Sequence, residues 1–214
     1  MTAADCNYPR ALLCGANGAE WPVVHGLGNS GLLGRPVLGL ICSVQVPGQV
    51  ILKTLDAVRE LRDAGVVVAG GFHSPLEQEC LGFLLRGPQP VIVCPARHPS
   101  THRLPAEWVR ALDCGRLVIA SPFGSEVVRP TRRLAEERNR FVTALAAALW
   151  IPHASAGGQT AQLLEAELAA GKPVFLGEPG DDPATLPAGV RDYRLSSICD
   201  VLGVDGTGPA GQRA

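Results

Sequence analysis

The sequence predicts a single α/β domain built on a doubly wound, mostly parallel sheet, and three observations lead to this class. Short uninterrupted apolar runs alternate with longer amphipathic segments, a pattern typical of parallel strands that helices cover on both faces. The 214 residues suffice for one domain with extensions, whereas a closed eight-stranded β/α barrel needs about 250 residues. A net charge of -1 with 46% apolar residues is typical of a globular domain that forms its core without disulfides.

The predicted elements alternate regularly along the chain. The apolar runs predict strands at residues 37–43, 66–69, 91–94, 117–120, 149–151 and 174–176. The segments between them predict helices at residues 48–64, 75–85, 105–113, 130–146 and 159–170. Gly65 is a typical C-terminal stop for the first helix. Ser74, Pro75 and Glu77 are typical of the N-cap, first residue and capping-box partner of the second helix. Strands that alternate with helices in this way indicate a Rossmann-like sheet.

The sequence is predicted to contain one domain with a flanking segment at each end. Residues 1–35 are interrupted by Gly and Pro and predict a lead-in arm, residues 36–202 the Rossmann-like domain, and residues 203–214 a disordered tail. No basic segment followed by an apolar stretch opens the sequence, and no apolar run approaches the roughly 18 residues of a spanning helix. We therefore expect a cytoplasmic protein without membrane contact. Homo-oligomerisation is compatible with such a fold, although no residue pattern points to it.

Seven cysteines are scattered through the sequence, and no two of them form a CxxC pair. Several, such as Cys42 and Cys94, stand in apolar stretches, which predicts small buried residues in a reducing compartment. Cys94 and His98 resemble a pair of metal ligands, but the two further ligands of a zinc site are missing. The sequence therefore predicts no metal site and no cofactor.

Gly26-Leu-Gly28-Asn-Ser-Gly31 matches the GxGxxG spelling of dinucleotide-binding loops. That loop works only between a strand and a helix, because the pyrophosphate lies on the helix N-terminus. The residues that follow start no helix, and no acidic residue stands about 20 positions later. The match is therefore interpreted as accidental. The sequence also contains no GxxxxGK[ST] motif, which excludes a P-loop ATPase.

The loops that follow the strands hold the candidate binding residues, because open α/β sheets bind ligands at the carboxyl ends of their strands. The candidates are Ser43, Gly70, Gly71, His73, Ser74, Arg97, Ser121, Arg138, Asn139, Arg140, Gly157, Gly158 and Thr160. Glycines and hydroxyls at a helix start suit phosphate oxygens, and so do guanidinium groups. Nine of the 17 arginines fall between residues 97 and 140 with only five acids, which predicts a positive field there. A solvated arginine-rich face is the alternative, because the chain has only two lysines.

Arg138-Asn139-Arg140, a strand at 148–151 and a turn at 155–160 follow one another in the second half of the sequence. In this order they resemble the DprA/Smf family of DNA-processing proteins, which has a Rossmann-like domain with an Arg-Asn-Arg motif, then a strand, then a turn of small residues with threonine. The similarity runs from about residue 36 to residue 179.

The first half matches the family more loosely. Its Ser-Gly-x-Ala turn is similar to the segment at 69–72, and its Gly-Ser-Arg is represented by Ser43 alone, with Val44 in place of the arginine. The Asp and His that follow the family's glycine turn are here Leu76 and Cys80.

The resemblance implies binding of single-stranded DNA, or of a nucleotide or another phosphate-bearing ligand, in an arginine-lined cleft, without catalysis. It carries over Ser43, Gly71, Arg138, Asn139 and Arg140 as binding residues. A sensor of a small nucleotide derivative in the same cleft is one alternative.

An enzyme is the other alternative, since the superfamily includes the lysine-decarboxylase-like phosphoribohydrolases with their Pro-Gly-Gly-x-Gly-Thr-x-x-Glu loop. The segment at 157–160 resembles that loop in part. Leu163 stands where the glutamate would fall, and Glu165 comes two residues later. General acid or base chemistry depends on reach, so this difference bears directly on catalysis.

Overall fold

The computed structural model describes residues 2, 9, 12, 21–100, 104–177 and 187–205. Within these ranges one eight-stranded sheet is flanked by six α-helices, which confirms the predicted doubly wound α/β class. The strands are β1 (His25–Gly28), β2 (Leu38–Leu40), β3 (Val68–Gly70), β4 (Val91–Val93), β5 (Leu117–Ser121), β6 (Ala148–Ile151), β7 (Val174–Leu176) and β8 (Arg191–Asp192). The helices are α1 (Gly48–Asp63), α2 (Pro75–Leu84), α3 (Ala106–Asp113), α4 (Arg132–Leu145), α5 (Gln159–Ala169) and α6 (Leu195–Leu202). None of the described helices is long and apolar enough to cross a membrane.

The order of the strands determines where a ligand crevice forms. The order is β1-β5-β4-β3-β2-β6-β7-β8, and only β1 is antiparallel to its neighbour. From β2 the chain passes through β3 and β4 to β5, and then returns to β6 on the other side of β2. The strand order therefore reverses between β2 and β6, where Leu38 lies opposite Ala148. Open α/β sheets bind ligands at the carboxyl ends of such a strand pair.

Helices cover both faces of the sheet. On one face α1, α2, α3 and α6 contribute to one hydrophobic cluster, which also contains the fully buried Trp150 of β6. On the other face α4 packs through Phe141 and Val142, and α5 packs through Leu164. Full burial of a side chain such as Phe141 contributes about 1.5–3 kcal/mol, so these contacts fix both helices against the sheet. Since each follows a strand, α4 and α5 begin at the carboxyl edge.

Two edge strands were not predicted from the apolar runs. The strand β1 lies within the segment expected to be a lead-in arm, and it pairs antiparallel with β5, with His25 opposite Ser121. Its residues are half-buried or exposed, and two of the four are glycines, so it lacks a continuous apolar run. The strand β8 has only two residues, both charged. Most of the arm before residue 21, and residues 206–214 of the predicted tail, lie outside the described residues.

Candidate functional site

Three adjoining cavities open along the carboxyl edge of the sheet, and together they are named the groove. The first, of about 590 Å³, lies between α4 and the start of α5 and includes Asn139 and Arg140 in its lining. The second, of about 270 Å³, lies at the carboxyl ends of β2 and β6 and includes Ser43. The third, of about 520 Å³, lies at the ends of β3 and β4 and includes His73 and Arg97.

Shared residues join the three cavities into one surface. Those that line both the first and the second cavity are Asn139, Gly158 and Gln159. Those that line both the second and the third are His73, Ala135 and Arg138. Neighbouring strands lie about 4.8 Å apart, so the groove spans about 14 Å from the end of β6 to the end of β4. It crosses the point where the strand order reverses.

Ser43 connects the two loops that flank the crevice. Its hydroxyl oxygen accepts a hydrogen bond from the backbone N–H of Ser155 at 3.0 Å, and its own backbone N–H donates to the carbonyl of His153 at 3.1 Å. Ser43 is 8% exposed. The side chain therefore holds the loop after β2 against the loop after β6, at the position where the sequence predicts a phosphate contact.

The carboxylate of Glu77 joins the loops that follow β2 and β3. Its Oε1 accepts a hydrogen bond from the backbone N–H of Cys42 at 3.1 Å. Its Oε2 accepts from the backbone N–H groups of His73 at 2.9 Å and Ser74 at 3.2 Å. The Ser74 hydroxyl accepts from the Glu77 N–H at 3.3 Å, which confirms the predicted capping box. Three amide donors thus satisfy a buried negative charge.

The turn after β3 passes through Phe72 in the left-handed region, with φ at 46°. A bulky residue with positive φ is unusual and costs of order 1–3 kcal/mol. The Phe72 ring is buried in the core, and this packing holds the conformation. The turn directs the N–H groups of His73 and Ser74 at the carboxylate of Glu77.

Arg138 is a buried cation beneath the groove. Only 5% of the residue is exposed, its Nε donates to Oδ1 of Asn139 at 2.8 Å, and its Nη1 donates to the Cys94 carbonyl at 3.4 Å. The guanidinium covers the Cα of Gly71, where a Cβ atom would overlap it. Burial lowers the pKa of Arg138 from its ordinary value, and the negative charge of Glu77 acts in the opposite direction. Arg138 therefore orients Asn139 and supports the loop after β4.

The exposed arginines of the groove are Arg97 in the loop after β4, and Arg132 and Arg140 on α4. Arg132 forms an ion pair of 3.5 Å with Glu136, one helical turn away. Among the described residues, Arg97 and Arg140 form no ion pair with a carboxylate. These two guanidinium groups therefore keep their fork of donors for a ligand oxygen.

The start of α5 adds backbone donors to the first cavity. Gly157 turns the chain with φ at 67°, and Gly158 is the N-cap without a side-chain hydrogen bond to the first turn. The first N–H groups of a helix carry a partial positive charge and favour anions. Gln159 reaches the carboxylate of Glu136 with its side-chain amide, which links α5 to α4. Thr160, another predicted residue, is 8% exposed in the second cavity.

Two predicted residues lie outside the lining of the groove. Ser121 is fully buried, and its hydroxyl donates to the Arg97 carbonyl at 2.9 Å and accepts from the Phe123 N–H at 3.2 Å. Gly70 ends β3, and its carbonyl accepts from the Cys94 N–H at 2.8 Å. Both residues stabilise the loop that carries Arg97.

Several residues of the first cavity were not among the predicted ones. They are Arg132, Glu136, Gln159, Gln162, Leu163 and Ala166. The spacing of residues 132, 136 and 140 places them on one helical face. Arg132 and Glu136 are eight and four residues before Arg140, so this helical spacing in the sequence is the signal that identifies them.

Four of the five cysteines that the structure describes are buried, as predicted for several of them. Cys42, Cys80, Cys94 and Cys199 are buried, whereas Cys114 is exposed. Burial raises the pKa of the Cys42 thiol to about 12. In the described part of the chain, no three His, Cys, Asp or Glu side chains are grouped as metal ligands would be.

Comparisons with known proteins identify the fold. No family profile and no curated protein matches the sequence. DNA processing protein A from Helicobacter pylori, described for its single-stranded DNA binding mode, superimposes with a TM-score of 0.71 at 17% identity over 94% of each chain. The Streptococcus pneumoniae protein gives 0.68 at 16% identity, over 95% of this chain and 66% of its own.

A third solved structure has a different ligand in its description. The molybdenum cofactor carrier protein of Chlamydomonas reinhardtii gives a TM-score of 0.52 at 15% identity, over 79% of this chain and 99% of its own. At such identities the comparisons establish a shared fold. The resemblance to DprA proteins, first indicated by sequence motifs, is thus confirmed at the level of the fold.

Proposed function

We propose that this chain, which has the fold of DNA processing protein A, binds single-stranded DNA in the groove and catalyses no reaction there. The observation that carries the proposal is the pair of exposed arginines, Arg97 and Arg140, at the two ends of one continuous groove at the strand-order reversal. Exposed arginines that have no carboxylate partner among the described residues suit the regularly spaced phosphates of a nucleic-acid strand.

The two arginines of the Arg-Asn-Arg motif differ in burial, and this difference supports the proposal. Arg138 is buried and holds Asn139, which reaches both the first and the second cavity. Arg140 is exposed and contacts the phosphate of the strand. The N–H groups at the start of α5 bind a second phosphate oxygen beside it.

Phosphate contacts dominate the affinity that we expect. The exposed Val44 stands at the edge of the second cavity, where the resemblance would place an arginine. None of the described residues that line the groove is a Phe, Tyr or Trp. Single-strand binders normally combine phosphate contacts with base stacking, so affinity here falls steeply with salt.

A small nucleotide derivative is the second candidate ligand, because the first cavity has the size of small-molecule sites, which are about 300–1,000 Å³. The residues that line the first cavity are less consistent with an enzyme of the phosphoribohydrolase type. Leu163 lines this cavity at the position of the glutamate that the phosphoribohydrolase loop would supply. The carboxylate that lines it, Glu136, is engaged with Arg132 and Gln159.

Fluorescence anisotropy with a labelled single strand, measured over a salt series, tests the proposal. We expect binding at low salt. The logarithm of the binding constant should fall linearly with the logarithm of the salt concentration, with a slope of about -0.7 for each phosphate contacted. Unlabelled duplex and mononucleotides serve as competitors. Displacement by mononucleotides at low concentration, with little salt dependence, would favour the small ligand instead. No binding at low salt would reject the DNA proposal.

A further inference from the structure

Beyond the groove, the same edge of the sheet carries two imidazole rings in contact. The rings of His25 and His98 meet edge to face, with centroids 5.1 Å apart and planes at 65°. Both residues are half-buried, so each retains exposed surface. They are named the histidine pair, and no sequence motif singled them out as partners.

The histidine pair lies where a single strand of DNA would leave the groove. His98 directly follows Arg97, and His25 starts β1 opposite Ser121, the last residue of β5. Because β1 is two strands beyond β4, the pair lies about 10 Å further along the carboxyl edge. A single strand that runs from Arg140 past Arg97 therefore reaches it.

His98 is held in a fixed orientation. Its backbone N–H donates to the Val127 carbonyl at 2.8 Å, and its ring Nδ1 is 3.1 Å from the Phe123 carbonyl. Since a carbonyl only accepts, Nδ1 carries the proton in this hydrogen bond, and Nε2 is the remaining polar atom of the ring. A ring that is already ordered loses little conformational freedom when another ring packs on it.

The surroundings of the histidine pair favour a base over a phosphate. Glu126 lies in the same loop as Phe123 and Val127, with its carboxylate beside Gly124, so this loop adds a negative charge to that part of the edge. The described lining of the groove contains no Phe, Tyr or Trp, and His73 is the one aromatic ring among those residues, so the histidine pair adds two rings to the surface on which bases can stack. Base stacking on an aromatic ring is tolerant of sequence, because every base has a π-face.

We propose that the histidine pair is a stacking platform for one base of a single strand that occupies the groove. The inference rests on the proposed function and adds the direction in which the strand leaves, towards β1. Arg97 binds the phosphate at the end of the groove, and the base that follows stacks on the exposed imidazole surface.

Strands of two lengths test this inference. A strand of about four nucleotides fills the groove, whereas one of about twelve also covers the histidine pair. Replacement of His98 by alanine (His98→Ala) is expected to weaken the long strand about fivefold or more and to leave the short strand unchanged. His98→Phe keeps an aromatic ring and is expected to retain the affinity of the wild type.

The outcomes separate the two proposals. If the wild-type protein binds neither strand at low salt, the proposed function fails and this inference fails with it. If the wild type binds both and His98→Ala binds both equally well, only the stacking platform is rejected. Equal weakening of both lengths, or failure of His98→Phe to bind like the wild type, also rejects it.

Proton NMR of the unmodified protein provides a second measurement, in which substituted proteins serve only to assign the ring signals. The ring-proton signals of His25 and His98, assigned with single variants, are expected to shift when the long strand is added and to stay in place with the short strand. Signals that respond to neither strand, or equally to both, would overturn the inference.

Discussion

The guanidinium of Arg138 covers the Cα of Gly71, so the two residues can occupy their places only because position 71 has no side chain. Gly71 follows β3 and Arg138 lies in the middle of α4, 67 positions later in the chain. The contact joins the helix that carries Asn139 and Arg140 to the loops at the carboxyl edge. The shape of the groove therefore depends on it.

Gly71→Ala tests this contact. The added methyl group overlaps the guanidinium and displaces it, so we expect a loss of about 1–3 kcal/mol in the free energy of unfolding. The double variant Gly71→Ala with Arg138→Ala is expected to lose less than the sum of the single variants, because the overlap is gone. Urea denaturation of the four proteins measures the coupling. Strict additivity would show that the residues do not interact.

Glu77→Gln tests the buried carboxylate. A glutamine places an amide NH₂ against backbone donors that the carboxylate now satisfies, so we expect a loss of about 1–3 kcal/mol in unfolding free energy. Glu79→Gln, on the exposed face of the same helix, is the matched control and should change stability by less than about 0.5 kcal/mol. Equal effects in the two variants would contradict the role assigned to Glu77.

Val44→Arg is expected to increase affinity for single-stranded DNA. Val44 is 69% exposed at the edge of the groove, and an arginine there adds one phosphate contact. We expect a salt slope steeper by about 0.7 and binding about fivefold tighter at low salt. Leu52→Arg is the control, because Leu52 is also 69% exposed but lies on α1, outside the groove. An equal gain in both variants would indicate general charge attraction.

Stability is expected to fall in alkaline solution. Burial raises the pKa of the thiols of Cys42 and Cys94 to about 12 in the folded protein, from an ordinary value of 9.0. Above pH 9.0 the unfolded chain therefore releases protons that the folded chain keeps. The free energy of unfolding is therefore unaffected by the ionisation of these thiols below that pH and decreases as the pH rises towards about 12. Its limiting slope is about 1.4 kcal/mol per pH unit for each thiol.

Urea denaturation at a series of pH values measures this loss. Cys42→Ala removes one of the thiols, and we expect a shallower decline for this variant. The same slope in Cys42→Ala and in the wild type would show that this thiol contributes nothing to the alkaline loss.

Sequence patterns predicted those parts of the fold that depend on local information. The capping box of Ser74 and Glu77 lies within four residues, and the buried strands of the sheet are continuous apolar runs, so both were predicted and are confirmed. The edge strand β1 was missed because its hydrogen-bonding partner, β5, is about 90 residues away and its own residues carry no apolar pattern.

The candidate site was predicted in part. The loops after the strands, with His73 and Arg97, were identified correctly as lining one edge, because parallel strands place their carboxyl ends together. The burial of Arg138 depends on Gly71 and Cys94, which come from other loops, and no local pattern distinguishes it from the exposed Arg140. Ligand binding by these residues remains a prediction.

The most direct test of the account compares two double variants of equal charge. Arg97→Ala with Arg140→Ala removes the two groove arginines that form no ion pair among the described residues. Arg35→Ala with Arg110→Ala removes two exposed arginines elsewhere, one at the opposite edge of the sheet and one on α3. Anisotropy with a labelled single strand over a salt series measures affinity and slope for both.

We predict that the groove variant loses most of its affinity at low salt and that its salt slope becomes shallower by about 1.4, while the control binds like the wild type. Equal losses in the two variants, or retention of wild-type affinity and slope by the groove variant, would contradict the assignment of single-stranded DNA to the groove.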